Sequence, residues 1–272
     1  MTLAAAVEIL KKAGIENPLY DARQIFSKIG EIKMEQLVLG GEVENGSDAA
    51  IAIERRAQRI PLEYVIGSVD FYKESYTVAE GCLIPRDDTE CLVDFAVKNI
   101  PEGAEFLDLC TGSGCIALSV LNNTKNTTAT AVDISAAALD IARKNAENLH
   151  LCNRVRFIEA DALEAPITNG CFALLSNPPY VTDSEYDSLS PEIHNEPKIA
   201  FVGGVDGLDF YKKIISLYKE RIADEGFIAF EIGSEQGKAL KNIAAENLMS
   251  CEILTDLSGL DRVAVIKKAH KV

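Results

Sequence analysis

Leu107-Asp108-Leu109-Cys110-Thr111-Gly112-Ser113-Gly114-Cys115-Ile116-Ala117 is the stretch on which the fold turns. An apolar run of strand character ends in a loop with glycine at 112 and 114, and a helical pattern follows. Gly112, Gly114 and Ala117 fit G-x-G-x-x-A, in which glycine allows a tight strand-to-helix turn and lets a ligand lie against bare backbone. On its own the pattern names no ligand. Its setting carries more information.

Outward from this loop, strand patterns recur at 105–110, 128–133, 154–159, 171–176, 226–231, 250–256 and 262–267, with helical patterns between the first five. Such alternation predicts an α/β fold with a parallel, doubly wound sheet, to which the last two strands can add an antiparallel edge. Ligands of such sheets bind beyond the carboxyl ends of the strands, near the switch in strand order. Upstream, residues 1–60 carry only helical periodicity: Leu3, Ala6, Val7 and Leu10, then Ala22, Ile25, Phe26 and Ile29 after Pro18, then 34–39 and 47–60. Residues 62–78 are β-branched and aromatic, and Gly67-Ser68 reads as the turn of a hairpin joining two domains. The expected division is a helical domain at 1–61, a hairpin linker at 62–80 and the α/β domain at 81–272.

The 272 residues are 47% hydrophobic and 25% charged, enough apolar material for a sizeable core and unlike a disordered chain. The net charge of -15 repels phosphate backbones and no Lys/Arg-rich run offsets it, which disfavours naked nucleic acid as main substrate. Seven cysteines form no CxxC, and three histidines form no HExxH; a metal motif is not expected. Glu8 interrupts the apolar start MTLAAAVEILKK and no bilayer-length apolar run follows, so a cytoplasmic protein without membrane contact is expected.

Acidic residues sit at successive strand ends. Asp133 can accept hydrogen bonds from two ribose hydroxyls, which NAD and S-adenosylmethionine both possess. Asp108, just before the loop, suits the ammonium and sulfonium of S-adenosylmethionine and would repel a pyrophosphate. Asp161, in IEADAL, is placed to receive an adenine amino group. The fourth strand, CFALLS, ends in Asn177-Pro178-Pro179-Tyr180. A planar amide or exocyclic amine nitrogen has a delocalised lone pair and attacks a methyl group poorly. The Asn177 side-chain oxygen and the Pro178 carbonyl can accept both its hydrogens and aim the lone pair. The prolines stiffen the turn, and Tyr180 offers a flat face for stacking.

The chain resembles the bacterial peptide-chain-release-factor glutamine N5-methyltransferases over nearly its whole length. The resemblance runs through RIPLEYVIGSVDFY (59–72), GCLIPRDDTECLVD (81–94), FLDLCTGSGCIALS (106–119), AVDISAAALDIARKNA (131–146), SNPPY (176–180), NEPKIAFVGGVDGLDFYKKII (195–215), FEIGSEQG (230–237) and GLDRVAV (259–265). It implies a seven-stranded, Rossmann-like methyltransferase domain behind a small helical domain that recognises release factors. It also implies methyl transfer from S-adenosylmethionine, leaving S-adenosylhomocysteine, to the glutamine of the Gly-Gly-Gln motif of class I release factors. By residue match the cofactor contacts Cys110, Thr111, Gly112, Ser113, Gly114, Asp133, Asp161, Ala162 and Asn177, and the substrate glutamine lies on Asn177, Pro178, Pro179 and Tyr180. The segment 83–90, with Pro85-Arg86 and Thr89-Glu90, resembles one near the cofactor.

Three positions depart from the family pattern: Cys110 for a usual Gly, Ala162 for a bulkier residue, and Glu63 for a common Gln. Gly203-Gly204 and Gly207 read either as loop punctuation or as part of a flexible cleft wall at 181–205 shaped by Glu196-Pro197. Glu231, ending the fifth strand, reads as structural. The same turn chemistry would serve an adenine or guanine amino-group methyltransferase, the glycine loop alone a dinucleotide-dependent oxidoreductase, and the pocket alone a non-catalytic binding module.

Overall fold

The computed structural model describes residues 1–39, 46–164 and 166–269. Contacts divide the chain into two compact units, Met1–Ser68 with Val78–Glu80 and Leu189–Glu196, and Val69–Thr77 with Gly81–Ser188 and Pro197–Val272.

The first unit is helical: α1 (Leu3–Lys12), α2 (Pro18–Lys28), α3 (Met34–Val38), α4 (Ser47–Ala57) and α5 (Leu62–Ile66). Thr2 caps α1 by accepting from the Ala5 amide, and Pro18 opens α2, where its missing N–H would have had no helical partner. The apolar stripes meet in a core of Leu10, Ile25, Phe26, Leu37 and Ile53, all buried. Beside it, Arg56 donates to Asp21 at 2.7 Å and to Glu192 at 3.2 Å, which brings the segment Leu189–Glu196 into this unit.

Two expectations for 62–78 are corrected. Residues 62–66 are helical, not a strand, and Gly67 at φ +83° is the left-handed cap that ends α5. The hairpin comprises β1 (Ser68–Phe71) and β2 (Glu74–Thr77), and Tyr72 takes the positive φ of its turn. Nor is this hairpin a bare linker. Tyr76 is buried in the core of the second unit with its hydroxyl 2.6 Å from the Ser119 hydroxyl, and Glu74 accepts from Ser119, Asn122 and Asn123.

The rest of the second unit runs α6 (Glu90–Asn99), β3 (Glu105–Leu109), α7 (Cys115–Asn122), β4 (Thr128–Asp133), α8 (Ala136–Asn148), β5 (Val155–Glu159), β6 (Cys171–Ser176), α9 (Asp183–Tyr186), α10 (Asp209–Tyr218), β7 (Ile222–Glu231), α11 (Gly237–Glu246), β8 (Met249–Thr255) and β9 (Asp261–Lys268). The sheet order is β5-β4-β3-β6-β7-β9-β8. β3 through β7 pair in parallel, and β9 lies antiparallel to both β7 and β8, as the edge expectation allowed. The order reverses between β3 and β6, so the ends of these two strands mark the crevice.

Strand alternation sorts the side chains. Phe106, Leu175, Ala229 and Val265 pack on the α6–α7 face, and Leu107, Leu174, Ile228 and Phe230 on the α10–α11 face. By the same alternation Asp108, Asn177 and Glu231 fall on the α6–α7 face. β7 begins four residues before its expected start, because a bulge separates the pair Cys171–Ile222 from Ala173–Phe227. Gly226 sits at that bulge, where a Cβ would strike the Phe172 carbonyl. No helix of the described residues is long and apolar enough to cross a membrane.

Candidate active site

The loop after β3 is built by its own neighbours. Cys110, Gly112 and Gly114 all have positive φ, turning the chain sharply from strand into α7. A Cβ on Gly114 would press on Leu118 and Ala142, so this glycine also sets how closely α7 meets α8. The Thr111 hydroxyl donates to Asp108 at 2.5 Å, the Gly112 amide to Asp133 at 2.8 Å, and Asn145 donates to the Ser113 carbonyl at 3.0 Å. Asp133 also accepts from the Ser135 amide at 2.9 Å and so clamps the ends of β3 and β4 together. Burial raises its pKa, against the pull of these amides.

A cavity opens on this loop. Cys110 to Ser113, Asp133, Asp161, Ala162, Asn177 and Pro179 line it, with Pro85, Arg86 and Thr89 from the segment before α6 and Pro197, Ile199 and Phe210 from beyond the Asn177 turn. It gathers most of the residues expected to hold the cofactor, and Asp161, accepting from the Leu163 amide at 2.8 Å, is held at its edge. Ile134 also lines it and stands half exposed beside Asp133, a position no motif marked. Glu90 turns away and accepts from the Tyr72 amide.

Asp108 is placed differently from expectation. It is fully buried and does not line the cavity. One carboxylate oxygen takes the Thr111 hydroxyl and the Ala117 amide, and the other finds no partner among the described residues. Burial, opposed by those two bonds, lifts its pKa to about 7. The carboxylate lies behind the loop as a brace, not in front of a cation. The Ala117 amide, in the first turn of α7, is thereby committed to a protein carboxylate.

The Asn177 turn is assembled from distant parts of the chain. Ser176 pairs with Phe230, so Asn177 lies one step on, level with Glu231. The Thr89 hydroxyl donates to Glu231 Oε2 at 2.5 Å, and Asn177 Nδ2 donates to the Thr89 oxygen at 3.3 Å. Tyr180 donates its hydroxyl to Glu231 Oε1 at 3.3 Å. Gln236 donates to the Tyr180 carbonyl at 3.2 Å and accepts from the Gly233 amide. No described group donates to Asn177 Oδ1 or to the Pro178 carbonyl. Pro178 is buried and Tyr180 half-buried, and neither lines the cavity; Tyr180 is tied back to Glu231.

The glycines after the turn gain a physical meaning. Val181 and Val202 form a parallel bridge that closes the loop between them. Beyond it, a Cβ on Gly203 would strike the Pro179 carbonyl, and one on Gly207, at φ +68°, the Tyr180 carbonyl. They are bare because the returning chain lies directly on the Asn-Pro-Pro-Tyr backbone. Sequence reasoning gives Thr89 no role of its own within the segment 83–90 near the cofactor, reads Glu231 as structural and leaves Gln236 unmarked; the alternation of β7, which puts Glu231 on the Asn177 face, is a signal for one of them.

Family models agree with this layout: the PrmC N-terminal domain matches residues 2–67 and the Methyltransferase small domain residues 87–196. The catalytic domain of hMettl16, solved in complex with a MAT2A 3'UTR hairpin, is 14% identical with a TM-score of 0.56 over 85% of this chain and 84% of that one, a likeness of fold alone. The release factor glutamine methyltransferase of Fusobacterium nucleatum is 37% identical over 98% of this chain and 78% of its own length. That of Thermodesulfovibrio yellowstonii is 40% identical over 81% of each. At this identity and coverage the chain belongs to the release factor glutamine methyltransferase family.

Proposed function

We propose that the protein transfers a methyl group from S-adenosylmethionine to the side-chain amide nitrogen of the glutamine in the Gly-Gly-Gln motif of class I peptide chain release factors. The observation that carries this reading is the uncommitted Oδ1 of Asn177, which lines the cavity at the end of β6, followed in the chain by the Pro178 carbonyl, to which no described group donates. An amide NH2 has two hydrogens, and these two oxygens can take both. Held this way, the nitrogen gives up planarity more readily and presents its lone pair in one direction.

When bound, S-adenosylmethionine supplies an electrophilic methyl on a positively charged sulfur. The residues suited to hold it are the loop 110–114, Asp133 for ribose hydroxyls, and Asp161 with Ala162 for the adenine. The fit rests on chemistry: two carboxylates, Asp133 and Asp161, line the cavity. That favours a cationic cofactor over a dinucleotide. After transfer the nitrogen is cationic and acidic, so it can release its proton without a dedicated base, and the step asks for no metal ion. We assign the helical unit to gripping the release factor, and the proposed activity belongs to translation termination in the cytoplasm. The net charge of -15 speaks against free nucleic acid as the alternative methyl acceptor.

The test is incubation with S-adenosylmethionine and a class I release factor, followed by mass spectrometry of the Gly-Gly-Gln peptide. One added methyl on that glutamine is expected. An unmodified peptide from an enzyme shown to bind the cofactor would overturn the reading.

A further inference from the structure

An asparagine amide presents an oxygen on one side and an NH2 on the other, and the two ends are nearly equal in size. The proposed chemistry works only with the oxygen toward the substrate. Something must therefore choose between two orientations that differ by a half-turn of the side chain.

The chain of contacts behind Asn177 makes that choice. The Thr89 hydroxyl has one proton, and it is given to the Glu231 carboxylate across 2.5 Å. The Thr89 oxygen that faces Asn177 can then only accept, so it selects the NH2 end of the amide, which it meets at 3.3 Å. Oδ1 is left pointing the other way. Had the Thr89 proton been free, it could have bonded Oδ1 and turned the NH2 toward the substrate. Thr89 and Glu231 are both buried, 2% exposed each, so water does not compete for these bonds. The same carboxylate accepts from Tyr180 through its second oxygen, so one group sets both ends of the Asn-Pro-Pro-Tyr turn.

We propose that Glu231 and Thr89 are positioning residues for methyl transfer: the ionised carboxylate captures the Thr89 proton and thereby locks the Asn177 amide with its oxygen toward the reacting nitrogen. This rests on the function proposed above. The charge on Glu231 is the controlling element. A protonated carboxyl can donate to Thr89, which frees the Thr89 proton for Asn177 Oδ1 and removes the preference.

The surroundings put that change within reach of ordinary pH. Burial raises the pKa of Glu231 to about 7, against the Thr89 bond, the positive Arg262 on β9 and the Tyr180 bond; Asp88, next to Thr89, pushes it up further. Arg262 is itself shared with Asp88 at 3.1 Å and Asp256 at 3.2 Å. From α10, Tyr211 donates to the Glu231 backbone carbonyl, and the Cys115 thiol of α7, which burial keeps protonated, feels the Glu231 charge.

The experiment compares the wild type with Thr89→Val, Thr89→Ser and Glu231→Gln in two readouts. The first is methylation of a class I release factor from about pH 6 to 9. The second is the NMR signal of the Asn177 side-chain NH2, assigned by its loss in Asn177→Ala, over the same range without substrate. Thr89→Val keeps the shape and loses the hydroxyl; kcat should fall about tenfold with KM nearly unchanged, and Thr89→Ser should restore it. The wild-type kcat and the Asn177 NH2 signal should both titrate near pH 7, and in Glu231→Gln both should lose that step. A wild-type kcat in Thr89→Val, no rescue by serine, or an unchanged titration in Glu231→Gln would each overturn the proposal. If the release factor is not methylated by the wild type, the function reading falls, and the NMR titration still decides whether the relay exists.

Discussion

The two halves of the crevice are held together in opposite ways. The glycine loop is braced from nearby: Thr111 bonds Asp108 three residues away, and Gly112 bonds Asp133 twenty-one residues away on the adjoining strand. The Asn177 turn is braced from afar, by Thr89 eighty-eight residues upstream and through Tyr180 by Gln236 fifty-six residues downstream. A loop that carries its own bracing can be recognised as a motif and moved among folds with different substrates. A turn whose geometry depends on three other elements is tied to one domain, and its chemistry depends on them. The difference predicts that damage to the turn abolishes reaction while damage to the loop weakens binding.

The largest effect should come from Asn177→Ala. Removing an acceptor that acts in the transition state should lower turnover by about 10²–10³, by analogy with loss of a single oxyanion-hole donor. Cofactor affinity, measured by calorimetry, should fall far less, since the loop, Asp133 and Asp161 remain. Equal losses in both would erase the contrast between the two regions.

Glycine replacements sharpen it. In Gly203→Ala the new methyl overlaps the Pro179 carbonyl and crowds the Tyr180 Cα, both backbone, so the turn itself must shift. A stability loss of about 1–3 kcal/mol and a turnover loss well beyond tenfold are expected. In Gly112→Ala the methyl meets nothing nearer than Cys82 Sγ at 3.9 Å, and only the φ of +54° is unfavourable. That should cost about 1 kcal/mol, visible as weaker cofactor binding with kcat largely kept. Chemical denaturation and steady-state kinetics on the pair separate the two outcomes.

This contrast also explains what could be read before the structure was known. The parallel sheet, the strand ends and the loop were legible because a period of two, a period near 3.6 and a glycine pair are local signals. That Asp133, Asp161 and Asn177 line one cavity followed once the strand ends were located. Asp108 was misplaced because its neighbours in sequence do not reveal that it points behind the loop into α7. Residues 62–66 looked like a strand because Tyr, Val and Ile favour either element when a run is this short, and Gly67 serves a helix cap as well as a turn. The parts played by Thr89, Glu231 and Gln236 were silent, although Thr89 lies in a segment the resemblance puts near the cofactor, since those parts exist only after β6, β7 and the segment before α6 have come together.

Each region contains one buried acid, and both leave a mark on stability. Burial raises Asp108 and Glu231 to about 7, above the ordinary carboxylate range. A carboxyl with a higher pKa folded than unfolded binds its proton more tightly in the native state. Its contribution is therefore fully present below the unfolded pKa near 4 and is lost as pH rises toward 7. Unfolding free energies in urea should fall over that window by on the order of 1–3 kcal/mol per group. Asp108→Asn and Glu231→Gln should each flatten the slope, and a slope that survives both replacements would show that other groups govern it. Only Glu231→Gln should also alter the pH profile of turnover, because only that acid is bonded to the Asn177 turn, through Thr89 and Tyr180.

The smallest effect belongs to Cys110→Gly. This residue has φ +59°, in the left-handed region where a side chain costs roughly 1 kcal/mol and glycine is at ease. The family resemblance places Gly here, so relief of strain argues for a gain. Two effects oppose it: glycine widens the unfolded ensemble by about 0.4–1 kcal/mol, and a half-buried sulfur is lost, worth up to about 0.8 kcal/mol. The three nearly cancel, and the expected change in unfolding free energy is within about 1 kcal/mol. Cofactor affinity should stay within a few-fold, since the backbone conformation that shapes the cavity is the one glycine already prefers. A tenfold loss of affinity would show instead that the thiol touches the cofactor, and the loop would then depend on a side chain and not on its backbone alone.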